Sequence, residues 1–165
     1  MSGPEDRARS LGLAIPDFQA DGYYGGDFGS MKSHHVVNRV LYLSGHVPEG
    51  PDGPVHPGRL GRDVTVEQGY EAARQTGLNC LAGIRYAVGS LDRVRCLVRN
   101  LCFVAAAPDF TDVHLVSSGC SDLLRDVFGP EAGLGGRATI GVQSLAHDHC
   151  FECWLEVELH ETVDG

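Results

Sequence analysis

The sequence predicts an α+β fold, a mixed sheet with two helices packed on one of its faces. Two apolar stripes at helical spacing, over residues 66–88 and 108–128, alternate with strand-like runs. The elements follow the order β(β)-α-β-α-β-β, and the last strand alternates apolar and polar residues along its whole length. With 165 residues the chain suits one domain, large enough to bury a core without staples.

Residues 1–33 read as an N-terminal arm or loop, and residues 34–162 as the domain. Residues 5–11 suit a short helix, and DGYYGGDFGSMKSHH, with glycines at 22, 25, 26 and 29, reads as loop. Residues 36–46 follow as one strand buried on both faces: Val40, Tyr42 and Ser44 alternate with Leu41, Leu43 and Gly45. GHVPEGPDGPVHPGRLG is dense in proline and glycine and reads as loop.

Residues 66–88 carry the clearest helix signal. Thr65 and Gln68 stand at capping-box spacing, and Gly89 ends the run. Val66, Tyr70, Ala73, Gly77, Leu81, Ile84 and Val88 recur at steps of three and four, with Glu67, Glu71, Arg74 and Arg85 away from them. Residues 93–104 alternate as a strand. Val94, Cys96, Val98, Cys102 and Val104 fall on one side, and Arg93, Arg95, Leu97 and Arg99 on the other. Pro108-Asp109 opens a second helix, with Phe110, Val113, Val116, Cys120, Leu123 and Val127 inward, and Gly129-Pro130 stops it. Residues 138–145 and 149–160 read as two strands of a hairpin with a tight turn near His147. In the last strand Phe151, Cys153, Leu155, Val157 and Leu159 make an apolar face that covers the helices. Glu152, Trp154, Glu156 and Glu158 make the opposite face, either solvent surface or a contact with another subunit.

The formal net charge of −9 argues against a protein that grips nucleic acid by neutralising phosphates. No Lys/Arg-rich run marks a membrane-binding surface. The N-terminus lacks a signal-peptide pattern and no stretch reaches the length of a membrane span, so a cytoplasmic location is expected. The six cysteines then read as reduced, small, buried residues.

LYLSGHVP at 41–48, NCLAGIRYAVGSLDRV at 79–94, FVAAAPDFTDV at 103–113, and Arg137 of GGRATIGV followed fifteen residues later by Glu152 together resemble the RidA/YjgF family. The likeness covers residues 36–160 and is closest to the longer branch, called YjgF-like or "putative endoribonuclease" proteins. It implies a chorismate-mutase-like fold, a homotrimer with clefts between subunits, and hydrolysis of reactive imines and enamines to keto acids and ammonia. It also implies catalytic roles for Arg137 and Glu152. The chain departs from the family pattern at several places. Met31 stands where deaminating members carry an aromatic residue, and His114 where they carry Asn. His46 replaces the usual Gln, and Gly136 and Ala138 flank the arginine. These changes keep the scaffold and alter the pocket walls.

The chemistry suits those residues. A guanidinium binds a carboxylate through a planar fork, and a carboxylate beside a bound water can shuttle protons. The expected site is catalytic Arg137 and Glu152, with substrate contacts from Arg137, Gly45, His46, Met31 and His114, and with no metal and no cofactor. The partners expected are a small carboxylate-bearing substrate and two further copies of the chain, with no nucleic acid and no membrane. A hairpin pairing Val142 with Glu152 would leave Arg137 five residues along, roughly 16 Å away at the strand rise. Either substrate and water span that gap, or the strands bend, or a neighbouring chain completes the cleft. His34, His35, His46, His114, His147 and His149 lack the spacing of a zinc site. Cys150 and Cys153 form C-x-x-C on a strand, not at a helix N-terminus. The DGYYGGDFGSMKSHH segment reads either as a cover over the cleft or as a plain N-terminal arm.

The activity expected is hydrolysis of a small imine or enamine carboxylate. Two alternatives stand beside it: an enzyme of the same fold acting on a larger imine by condensation or cyclisation, and a non-catalytic carboxylate-binding regulatory trimer.

Overall fold

Local signals at the ends of the longest helix set the frame. In the computed structural model, which describes residues 3–162, helix α2 spans Val66–Val88, after the short helix α1 (Pro4–Ser10). Thr65 Oγ1 accepts the Gln68 N–H at 3.2 Å, and Gln68 Oε1 accepts the Thr65 N–H at 3.0 Å. Gly89, at φ 82°, closes the other end. Its buried face is wider than the predicted stripe and takes in Gly69, Ala72, Thr76, Asn79 and Cys80. The reason is that α2 is covered by the sheet on one side and by helix α3 (Val113–Phe128) on another. The two helices approach closely at Gly119, where a Cβ would stand 2.0 Å from the Tyr70 carbonyl oxygen. Helix α3 starts at Val113, after Asp112 at its N-cap, rather than at Pro108-Asp109. Residues before it form a turn closed by Phe110 N–H to Ala107 O, from which Phe110 still packs against the core.

The main sheet contains β1 (His34–Val37), β2 (Val40–Leu43), β5 (Val94–Ala105), β6 (Gly136–Val142) and β7 (Phe151–Leu159), in the order β1-β2-β7-β5-β6. The expected single strand over 36–46 is instead the β1–β2 hairpin, closed by two residues between Val37 and Val40, with Asn38 at φ 55°. The loop expected after Gly45 contains a two-residue ladder, β3 (Glu49–Gly50) with β4 (Gly53–Pro54).

The C-terminal hairpin is corrected more deeply. Strands β6 and β7 do not pair; both pair with β5, β6 parallel and β7 antiparallel. A strand returning through a helix can lie parallel to its predecessor, and β5-α3-β6 is such a unit. The chain then crosses the end of β5 to reach its other side. The Ala105 N–H donates to Cys150 O and the Ala106 N–H to Val142 O, while His147 and Asp148 take positive φ in the crossing.

Strand β5 is also less regular than its alternation suggests. Register shifts after Val94 and after Leu97 turn Leu97 inward and leave Val98 exposed, the reverse of the expectation. In β7 the reading holds: Phe151, Cys153, Leu155, Val157 and Leu159 are fully buried against the helices. Residues 4–10 pack on the body of the domain. Ala8 is buried, and the Glu5 carboxylate takes Arg85 Nη2 at 2.6 Å and the Leu91 N–H at 2.9 Å. Met1 and Ser2 of the expected arm lie outside the described residues.

Candidate functional site

The sheet face away from the helices carries a cavity of about 600 Å³. Its floor comes from β2 and β7, through Tyr42, Leu43, Glu152, Trp154 and Glu156. Its wall is the segment before β1, through Tyr23, Phe28, Met31 and Lys32. Ser44 and Gly45 continue β2 along one side.

Three carboxylates alternate along β7 on this face, and their surroundings differ. Glu158 pairs with Arg39 at 2.7 Å and with Arg95 at 2.8 Å, and Glu156 pairs with Arg99 at 2.5 Å. Glu152 forms no ion pair among the described residues. Its Oε1 accepts the indole N–H of Trp154 at 2.7 Å and lies against the Gly45 backbone. A Cβ at position 45 would stand 2.1 Å from that oxygen, so glycine is what lets the carboxylate seat there. Gly45→Ala should swing Glu152 away while the backbone, which needs no special φ there, keeps its path. A misplacement near 1 Å costs about 10²-fold in rate, so any turnover that depends on Glu152 should fall by that order with an unchanged circular-dichroism spectrum.

The other anticipated residues are not all in this cavity. Gly45 and Met31 line it; Arg137, His46 and His114 do not. Arg137 opens β6 at the sheet edge and pairs in register with Asn100, which in turn pairs with the inward Leu155. Its side chain therefore lies on the helix face, where Nη1 meets Ser121 Oγ at 3.0 Å and Ser118 Oγ at 3.5 Å. There it lines a recess of about 350 Å³ with Asn100, Ser121, Asp122 and the loop Gly133, Leu134 and Gly135. The buried Asn100 Oδ1 has no hydrogen-bond partner among the described residues. Glu152 pairs with Phe103 and faces the opposite side of the sheet. Two strand spacings and three residues of rise set the two Cα atoms about 14 Å apart. One chain therefore does not unite the two residues, and strand bending does not close the gap. His114 is exposed near the start of α3, where its carbonyl accepts the hydroxyls of Ser117 and Ser118.

His46 sits beneath the cavity, fully buried. Nδ1 meets the Ser44 carbonyl at 2.7 Å, and Nε2 faces Gly83 without a hydrogen-bond partner among the described residues. The rings of Phe18, Tyr23 and Tyr24 surround it. Burial pushes its pKa down to about 4, against the opposing pull of the Ser44 carbonyl. The unfolded chain holds this proton up to about pH 6.5. Unfolding therefore takes up a proton between those values, and stability present at neutral pH is lost as pH falls through the window, by up to about 1.4 kcal/mol per unit. Denaturant midpoints should show this slope between pH 6.5 and 5, and His46→Gln should reduce it, leaving the share of His149, which burial also pushes down to about 4.

Tyr23 is a cavity residue that sequence reasoning did not single out. Its phenol is pushed up to about 12, by burial first and then by Cys80 and Glu152, and its hydroxyl has no hydrogen-bond partner among the described residues. Phe28, Lys32, Tyr42 and Trp154 were missed likewise. The signal available was the aromatic content of DGYYGGDFGSMKSHH, the segment expected either to cover the cleft or to form an arm. Among the described residues no group of three or more His, Cys, Asp and Glu side chains is arranged to hold a metal ion, and no helix is long and apolar enough to cross a membrane.

Residues 5–151 match the family described as "YjgF/chorismate mutase-like, putative endoribonuclease". The chain is 38% identical over 120 residues to Protein TCP17 of Trypanosoma cruzi, which covers 73% of this chain and 75% of that protein. A "putative endoribonuclease" from Shewanella oneidensis MR-1 superposes with a TM-score of 0.86 at 28% identity, over 96% of this chain and 100% of that one. Atu1372 of Agrobacterium tumefaciens, a protein of unknown function, superposes with a TM-score of 0.83 at 30% identity, over 94% and 93% of the two chains.

Proposed function

Because the chain belongs to the YjgF/chorismate-mutase-like family and has its α+β fold, we propose that it hydrolyses a small reactive imine or enamine carboxylate to a 2-oxo acid and ammonia. The observation that carries this reading is Glu152. Of the three carboxylates on the open face of β7 it is the one without an ion pair among the described residues, held by Trp154 against Gly45 in a cavity of about 600 Å³.

An enamine first tautomerises to its imine. Glu152 takes a proton from water as the water oxygen bonds to the imine carbon, and passes that proton to the nitrogen, to which the C=N electron pair moves. The resulting carbinolamine collapses: its hydroxyl gives up a proton, C=O forms and the C–N bond breaks. Ammonia leaves with a proton returned through Glu152. The imine carbon is already electrophilic, so this sequence needs no metal or cofactor.

Arg137 anchors the substrate carboxylate, and in this reading it comes from a neighbouring chain of a homotrimer. Two observations support that arrangement. Arg137 and Glu152 lie on opposite sheet faces within one chain. The open face also exposes Val37 and Ile140, apolar area outside the cavity that a neighbour would cover. The net charge of −9 gives RNA no electrostatic footprint, so the endoribonuclease name carried by relatives is not extended to this chain. The test generates 2-aminoacrylate in situ and follows ammonia release. Release above the buffer rate supports the reading, and none from folded, trimeric protein removes it for that substrate.

A further inference from the structure

We infer that the preferred substrate carries an aromatic ring, as the imine of an aromatic 2-oxo acid; this rests on the hydrolase reading above and names its substrate class. A volume of about 600 Å³ is in the range that holds drug-sized ligands. A three-carbon imino acid would leave most of it to water. The lining is mainly apolar and rich in rings. Tyr42 and Trp154 rise from the sheet, 40% and 50% exposed in the single chain, and Tyr23 and Phe28 stand on the wall. Ring faces of this kind favour a flat aromatic guest over a branched aliphatic one, through offset and edge-to-face packing.

Most of the lining surface is apolar, and polar side chains, His34, His35, Ser44 and Glu156 among them, stand around it, an arrangement that can orient an apolar body. Glu152 is on the floor. Lys32 is on the wall, and its ammonium has no ion pair among the described residues, whereas Arg99 on the same rim is occupied by Glu156. Lys32 thus adds a second cation for the carboxylate that Arg137 of a neighbouring chain would hold. Met31 stands where an aromatic residue was expected from the family pattern, and the unbranched side chain adapts to a ring beside it. Phe28 is fixed from behind by His147, stacked at 4.8 Å, so the wall is supported.

The experiment compares two stable 2-oxo acids, phenylpyruvate and pyruvate, by titration calorimetry on the full-length oligomer. Phenylpyruvate should bind at least about tenfold more tightly, a gain within the range of added ring burial and stacking. Tyr42→Ala should weaken phenylpyruvate more than pyruvate and so remove most of that difference. Phe28→Leu is the second variant should the first misfold. Equal affinities, tighter pyruvate, or no binding of either acid overturns the aromatic preference. Ammonia release from 2-aminoacrylate, measured on the same preparation, then separates the two ideas. Its persistence leaves the hydrolase reading standing whatever the binding result, and its absence removes that reading for the three-carbon substrate while the two affinities still decide the aromatic preference.

Discussion

Replacing Glu152 by Gln should lower imine turnover by about 10²–10⁴-fold, the usual worth of a positioned acid–base group. The change is narrow. Glutamine has the same length, and its amide oxygen can still accept the Trp154 indole N–H and lie against Gly45. What it cannot do is take a proton from water and return one to nitrogen. Melting temperature and oligomeric state should therefore be preserved while kcat falls and the affinity for a 2-oxo acid changes little. Turnover equal to wild type would assign the proton transfers elsewhere. Tyr23, which shares the cavity, would then be the next group to test.

Gly119→Ala should cost about 2 kcal/mol or more of stability. The added Cβ would stand 2.0 Å from the Tyr70 carbonyl oxygen and 3.1 Å from the Arg74 nitrogen. Both are backbone atoms of α2, so no side-chain rotation relieves the overlap and the helices must move apart. Separation would also loosen the neighbouring close approach of Gly77 to Leu123. Overpacking of this kind costs about 1–3 kcal/mol and more where backbone shifts. Better helix propensity returns only about 1 kcal/mol. At about 2–4 °C per kcal/mol for a chain of this length, thermal unfolding should drop clearly. An unchanged melting temperature would mean that α2 and α3 are not packed this closely.

Features that depend on local chemistry were legible in the sequence. The capping box at Thr65 and Gln68, the stop at Gly89 and the alternation of β7 are each written within a few residues. Features that depend on distant partners were not. The β1–β2 turn rests on Asn38 alone, without the glycine that usually marks a two-residue hairpin. The register shifts of β5 answer to β7, about fifty residues later in the chain. Strand β6 looked like half of a hairpin because β7 follows it closely, although β5, α3 and β6 already had the form of a parallel crossover.

The same division runs through the site. Glu152, Gly45 and Met31 meet in one cavity, because position 45 follows β2 and β2 pairs with β7. Arg137 was expected to stand apart from Glu152, and it does. That it lies on the other face of the sheet follows from the β5–β6 register, which sequence spacing does not encode. His46 was expected on the pocket wall and is buried beneath it, because the aromatic segment that precedes β1 packs over it. A polar residue next to a strand end does not reveal what will cover it.

Mixing two inactive variants tests the central claim most directly. Arg137→Ala chains keep Glu152, and Glu152→Gln chains keep Arg137; each alone should be nearly inactive. Unfolded together and refolded at equal ratio, random cyclic trimers rebuild one intact site in every mixed trimer, about a quarter of all sites. If Arg137 serves the cavity of a neighbouring chain, the mixture should regain about a quarter of wild-type ammonia release. Activity no greater than the sum of the two parents would contradict a cleft shared between subunits.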